Sequence, residues 1–278
     1  MARVLAITTH LWRPGQNFLE SIVCPIEGEL RDYDFIVISE KALSTALNNM
    51  VDESLVKPSS GARTIAGPWM RIAWGYCLAI LCRFDEKLTQ VLREYPYEMG
   101  SRHKQVALQH AGLLGALMFG SEGGIDGTNL PYSYVSLPLK NGKEIAESIR
   151  AHIISTSGKK AFVMIVDTDK TYSLGSFHFT PRPSPIKGIY SFGGVASYAV
   201  GRFLKLKRRA TPIAVAGCQI SVEQALKIAE VANHARGYGA GKTVWAMAER
   251  FGVGLNCVSW EMLETVKHKP IVIVRFST

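Results

Sequence analysis

The sequence predicts a mixed α/β protein, and three observations carry that reading. Short β-branched runs recur along the chain, at residues 3–8, 34–39, 161–166, 213–216 and 270–275. Segments with apolar residues at helical spacing fall between them, the clearest at residues 142–154 with Ile145, Ile149 and Ile153. The composition, 47% hydrophobic and 20% charged over 278 residues, suits a large packed core rather than disorder.

Residues 3–8 alternate weakly as a strand and lead through a Pro14-Gly15 turn to an apolar helical stretch at 18–23. A second strand at 34–39 runs into Ser39-Glu40-Lys41-Ala42-Leu43-Ser44, which puts polar groups at a strand's C-terminal end. Residues 51–67 are polar and rich in Pro, Gly and Ser, so a surface loop is expected there. Pro68 is expected to occupy the first position of a helix over 69–83. An amphipathic helix over 86–94 follows and ends at Tyr95-Pro96-Tyr97, and residues 131–138 read as an extended loop. Residues 161–166 form an uninterrupted apolar strand, which implies burial on both faces, and it is expected to end at Asp167-Thr168-Asp169. The prolines of residues 180–185 suggest a crossover near 180–190 between two lobes of one region spanning 1–278. Ser221 is placed to cap a helix with Val222, Ala225, Ile228 and Ala229 inward, followed by a glycine loop at 237–243, a helix at 244–251 and a last strand.

Several function classes are disfavoured. The longest apolar stretch, residues 69–82, contains Arg71 and is too short to span a bilayer, and the N-terminus enters a strand pattern without a signal peptide. The five cysteines lack a C-x-x-C pair, which argues against zinc and a disulfide framework and fits a reducing cytoplasm. Cys218 beside Gln219 reads as a buried structural thiol. A net charge of +9 favours an anionic partner. The basic run at 202–209 reads as a solvated face without an RNA-binding signature, so nucleic acid is disfavoured and a phosphate-bearing small molecule is preferred.

Three stretches carry candidate chemistry. The first is Gly120-Ser121-Glu122-Gly123-Gly124-Ile125-Asp126-Gly127-Thr128-Asn129, led into by a strand-like apolar run at 113–119. Its Asp126 is either a ligand for a hard cation such as Mg²⁺ or Mn²⁺ or the acceptor of its own Asx-turn. The second is Asp167-Thr168, where strand termination competes with metal ligation. The third, Gly237-Tyr238-Gly239-Ala240-Gly241-Lys242-Thr243, ends like a P-loop, but Arg236 stands where that motif needs glycine and a helix precedes it. It can still offer backbone N–H groups to a phosphate, or simply cap a helix.

In this order the three stretches resemble the coenzyme F-420 γ-glutamyl ligase family. Gly124-Ile125-Asp126-Gly127-Thr128-Asn129 matches the family's Gly-Ile-Asp-x-(Ser/Thr)-Asn motif, residues 163–168 its apolar strand ending Asp-Thr, and residues 228–233 with 237–241 its helix and glycine loop. The resemblance implies a γ-glutamyl ligase-like fold in an intertwined homodimer, and a GTP-dependent ligase. In such an enzyme a carboxylate of an anionic deazaflavin precursor is phosphorylated and the amine of L-glutamate attacks the acyl phosphate. By carry-over Asp126, Asp167 and Thr168 would hold Mg²⁺ or Mn²⁺. Leu11, Lys41, Ser44, Asn129, Gly237, Gly239 and Gly241 would contact GTP.

The chain departs from the family pattern at several points. Asp169-Lys170 replaces the usual continuation x-Gly-Arg after Asp-Thr, Thr45 replaces a lysine, Tyr238 stands where a metal-binding Glu or Gln is usual, and residues 244–269 are inserted. A second reading is therefore a divergent relative that binds a phosphorylated ligand or uses another acceptor.

Overall fold

The computed structural model describes residues 2–120 and 122–276; Met1 and Ser121, which belong to stretches read above, lie outside it, as do Ser277 and Thr278. In chain order β1 (Ala2–Thr9), α1 (Phe18–Ile26), β2 (Phe35–Ser39), α2 (Glu40–Ala46) and the short β3 (Met50–Asp52) come first. A helical region follows: α3 (Ser60–Thr64), wide π-type turns over Ile65–Leu78, α4 (Ala79–Leu81), α5 (Glu86–Arg93), α6 (Tyr97–His110) and α7 (Gly112–Ala116). Then come β4 (Tyr134–Ser136), α8 (Gly142–Ser157), β5 (Phe162–Leu174), β6 (Phe177–Thr180), β7 (Tyr190–Ser191), α9 (Val195–Phe203) and β8 (Lys207–Ala216). The chain closes with α10 (Val222–Arg236), α11 (Val244–Phe251), α12 (Trp260–Glu264) and β9 (His268–Phe276). The architecture is mixed α/β, as the sequence predicts.

The main sheet runs β1-β9-β2-β5-β6-β7, with β8 paired to β5. β2 and β5 are parallel, whereas β1 with β9, β9 with β2, and β8 with β5 are antiparallel. Side chains alternate across a strand, so each apolar run feeds two cores. Ile36, Ile38, Val163, Ile165, Ile271 and Ile273 pack with α1 and α8 residues on one face. Phe35, Val37, Met164, Val166, Val272 and Val274 pack with Ala225, Ile228, Ala229 and Ala232 of α10 on the other. Burial on both faces is why these strands read as continuous apolar stretches.

The structure corrects the sequence reading at six places. Residues 113–119 enter the glycine-rich loop as α7 and a turn, not a strand; Leu113 and Leu114 are exposed while Ala116, Met118 and Phe119 are buried. A short apolar run does not distinguish the two forms by periodicity. The expected loop at 51–67 holds β3 and, from Ser60, a helix that Ser59 caps by accepting from Ala62 N at 3.2 Å. Pro68 therefore lies inside the helix, where the wide turns tolerate its missing N–H. The 131–138 loop contains β4, paired with β3. Asp167-Thr168-Asp169 does not end a strand: β5 continues to Leu174, and Asp167 and Lys170 pair with the adjacent Thr211 and Ala210, so Thr168 and Asp169 bulge out. In the basic run, Arg209 is buried in β8, with Nη2 donating to Ser173 Oγ at 2.8 Å and Nη1 2.8 Å from Glu223.

Candidate functional site

β2 ends at Ser39, paired with Val166, and β5 runs on past that point without β2 beside it, still paired with β8 and β6. A cleft therefore opens beyond the carboxyl end of the parallel pair, the usual place for a site in an α/β sheet. Among the described residues it forms a cavity of about 470 Å³ whose lining includes Leu11, Lys41, Asp126, Asn129, Asp167, Thr168, Gly237, Gly239 and Gly241. Ser44 is not among them; its hydroxyl donates to Leu137 O at 2.8 Å in the interior, because α2 turns that face away from the cleft. Leu11 is half-buried against the cluster of Ala240, Met247, Val258 and Leu263.

Asp126 forms the Asx-turn read from the sequence, and its other oxygen pairs with a lysine. Its Oδ1 accepts from Thr128 N at 2.7 Å and Thr128 Oγ1 at 2.6 Å, an Asx-turn, while Oδ2 accepts from Lys41 Nζ at 2.7 Å. Burial works to raise its carboxyl, but Lys41 and the Thr128 bonds outweigh it and hold the carboxyl below its ordinary range. Asp126 also bridges to Ser136, which ties the glycine-rich loop to β4.

Asp167 is held from the other side. Its Oδ1 accepts from Thr168 N at 2.6 Å and its Oδ2 from Arg182 Nε at 2.6 Å. The fully buried Arg182 guanidinium also grips both oxygens of Glu40 through Nη2, and Glu40 accepts from Leu139 N at 2.8 Å. Burial pushes the Glu40 carboxyl up to about 7, with Asp167 adding to the rise and Arg182 opposing it. Gly124 of the first motif adopts φ +92°, and a Cβ there would stand 2.9 Å from Arg182 Nε, so glycine is what lets this loop lie on the guanidinium. The Asp126 and Asp167 stretches thus meet across Arg182.

The glycine loop is fastened to the first motif by Asn129, itself at φ 58°. Asn129 Oδ1 accepts from Ala240 N at 2.5 Å and its Nδ2 donates to Tyr238 O at 3.2 Å. A Cβ on Gly239 would stand 2.5 Å from Asn129 Oδ1, so that contact requires glycine. Tyr238 is exposed, with Lys242 Nζ 4.6 Å from its ring centre. His268 of β9 lines the same cavity; its Nδ1 is 3.0 Å from His10 O. Burial drives that imidazole down to about 4, so it is neutral at pH 7.

Sequence reasoning missed part of the lining. Arg236, Lys170, Lys242, Lys267 and Lys269 surround the cavity, which concentrates the positive charge where an anion would sit. Glu53, His103 and Glu122 line it too, with His103 Nδ1 2.7 Å from Glu53 and the buried Lys104 Nζ 2.7 Å from Glu122. Burial acts to lower His103, but Glu53 and Glu122 override it and lift the imidazole to about 10. Glu53, His103 and Lys104 carry no motif, and Glu122 lies in the first glycine-rich stretch without having been singled out there. Cys218, expected to be buried, is half-buried against the α10 core.

The donor set is of the oxygen type a hard divalent cation takes, although Lys41 and Arg182 already engage Oδ2 of Asp126 and of Asp167. Asp126, Asp167 and Thr168 offer oxygens only, and magnesium is commonly held by one or two carboxylates together with substrate phosphates. No group of three or more His, Cys, Asp or Glu side chains placed to hold a metal occurs among the described residues, so such an ion would need ligands from the substrate as well.

Carboxylates, cations and a glycine loop around one cleft in a mixed α/β sheet are the equipment of an enzyme acting on anionic substrates. A family model described as F420-0:Gamma-glutamyl ligase matches residues 6–275, and the chain belongs to that family of ligases. It is also similar to an uncharacterized protein of Methanocaldococcus jannaschii, 35% identical over 285 residues that cover 98% of this chain and 96% of the relative. No helix among the described residues is long and apolar enough to cross a membrane.

Proposed function

We propose that this protein is a GTP-dependent amide ligase that joins L-glutamate, through a γ-glutamyl bond, to the anionic deazaflavin precursor of coenzyme F-420. The observation that carries the reading is the convergence of Asp126, Asp167 with Thr168, and the Asn129-anchored glycine loop on one cavity. In this reading the loop from Gly237 to Gly241, with Lys41 and Leu11, receives the nucleotide, and backbone N–H groups meet its phosphates. Asp126, Asp167 and Thr168 hold Mg²⁺ or Mn²⁺, which neutralises phosphate charge when bound. A carboxylate oxygen of the acceptor forms a bond to the γ-phosphorus as the bond to the β,γ-bridging oxygen breaks, and GDP leaves with that electron pair. The glutamate amine then attacks the acyl carbon, phosphate departs, and the ammonium proton passes to solvent. The protein supplies position and electrostatics, and no side chain needs to act as a nucleophile. The protein acts as a homodimer in the cytoplasm.

Tyr238 favours a second reading, a relative that binds a phosphorylated ligand or serves another acceptor. Its exposed ring lies under Lys242 at the position where the family places a metal ligand. GDP release that depends on both L-glutamate and the deazaflavin precursor separates the two. Asp126→Asn, which keeps the shape and removes the charge, is expected to lower that rate by at least about 100-fold. A wild-type protein stabilised by GTP with Mn²⁺ but inert toward both substrates supports the second reading instead.

A further inference from the structure

Arg236 is the last residue of α10 and stands directly before the glycine loop, lining the cavity beside Asp126 and Asp167. Its Nη2 donates to Asn233 Oδ1 at 2.9 Å. Among the described residues, no other hydrogen bond or ion pair engages this guanidinium. Both Asp126 and Asp167 act on it electrostatically without touching it, and burial lowers its pKa against their pull.

The neighbouring cations differ from it. Arg182 is fully committed to Asp167, Glu40 and the Pro183 carbonyl, and Lys41 is committed to Asp126 and Thr128. Arg236 is half-buried, so its remaining N–H donors are neither paired nor fully hydrated. A planar guanidinium fork in that condition is built for a multivalent oxyanion, which accepts two parallel hydrogen bonds at once. The adjoining backbone of Gly237 to Gly241 and the nearby Lys242 extend the same electropositive wall.

We infer that Arg236 is the phosphate-gripping residue of this cavity, holding phosphoryl oxygens between the glycine loop and the two aspartates. The inference rests on the ligase reading for its catalytic meaning: there the phosphoryl group in transit, and the acyl phosphate it becomes, present oxygens to Arg236. It extends that reading by assigning a residue at which the chain's own motifs gave no signal.

The test uses the full chain and two variants, Arg236→Gln and Arg236→Lys, with folding checked by circular dichroism and urea unfolding. Tripolyphosphate with Mn²⁺ is titrated calorimetrically as a probe that carries phosphates without base, sugar or acceptor. Arg236→Gln is expected to weaken its binding about 10- to 100-fold, the scale of charged hydrogen bonds, with Arg236→Lys falling between it and wild type. Glutamate-dependent GDP release is expected to fall by about 100-fold or more in Arg236→Gln. Unchanged tripolyphosphate affinity in a folded Arg236→Gln protein overturns the inference. Arg236-dependent tripolyphosphate binding in a protein that never releases GDP supports the inference and removes the ligase reading.

Discussion

The side-chain amide of Asn129 faces the glycine loop and holds it at two points, accepting from Ala240 and donating to the Tyr238 carbonyl. That geometry changes the role a motif match would give it. The resemblance puts Asn129 on the nucleotide, whereas its bonds make it the fastener of the glycine loop, which receives the nucleotide only in the proposed function. Asn129→Ala removes both bonds, and a loss of about 1–2 kcal/mol is expected in urea unfolding. GTP affinity is expected to fall as well, because the Gly239 backbone is no longer held against the first motif. An Asn129→Ala protein with wild-type stability and GTP affinity would refute this anchoring role. The same scale explains what the sequence hid. Lys41 and Asp126 are 85 positions apart and Arg182 and Glu40 are 142 apart, so their ion pairs exist only after folding. Asp126 stood out because glycines surround it, and Arg182 did not because nothing local distinguishes a buried arginine from a surface one.

Elements were legible where one period dominated the sequence. β1, β2, β9, the first half of β5, the second half of β8 and α8 show apolar or β-branched runs or isoleucines at helical spacing, and Ser221 marks the start of α10 as its cap, whereas β6, β7 and the basic half of β8 gave no such signal. The region from Ser60 to Ala116 was less legible, because its helices pack around Trp74, Tyr95 and Phe119 with glycines and a proline inside them. Gly100 in this region and Gly201 in α9 act as spacers rather than breakers: a Cβ at either would collide with the rings of Tyr95 and Tyr172 respectively. Gly201 lets α9 lie directly on Tyr172 of β5, the strand whose bulge carries Thr168 and Asp169. Gly201→Ala is therefore expected to destabilise by about 1–3 kcal/mol through overpacking, despite the better helix propensity of alanine. Urea unfolding measures this, and a neutral or stabilised variant would mean that α9 shifts freely on the sheet. The bulge itself left no trace in the sequence, since Asp-Thr-Asp is equally good turn chemistry.

At the scale of the whole molecule, the cleft gathers more titratable groups than a stable fold requires, and its stability should follow their protonation. The folded state holds Glu40 at about 7 and His103 at about 10, both above their ordinary values. Each binds its proton more tightly when folded, so each favours the native state at low pH and loses that contribution as pH rises, Glu40 between about 4.5 and 7 and His103 between about 6.5 and 10. His268, depressed to about 4 by burial, has the opposite sign: stability falls as pH drops below about 6.5, because the unfolded imidazole takes up a proton that the folded one refuses. His110 and His178 are also depressed by burial and act in the same direction, while Asp126, held low, adds its loss only in acid. Below pH 6.5 Glu40 and the three depressed histidines oppose each other, and above it the loss from His103 goes uncompensated. The melting temperature is therefore expected to peak near pH 6.5 and to decline steadily toward pH 10. His103→Gln should flatten the decline between pH 7 and 10 while lowering the peak, because Glu53 and Glu122 lose the cation between them. A set of thermal melts from pH 4 to 10 on wild type and variant decides it. An alkaline limb of equal slope in the two proteins would show that the Glu53–His103–Glu122 cluster does not hold its proton in the folded state.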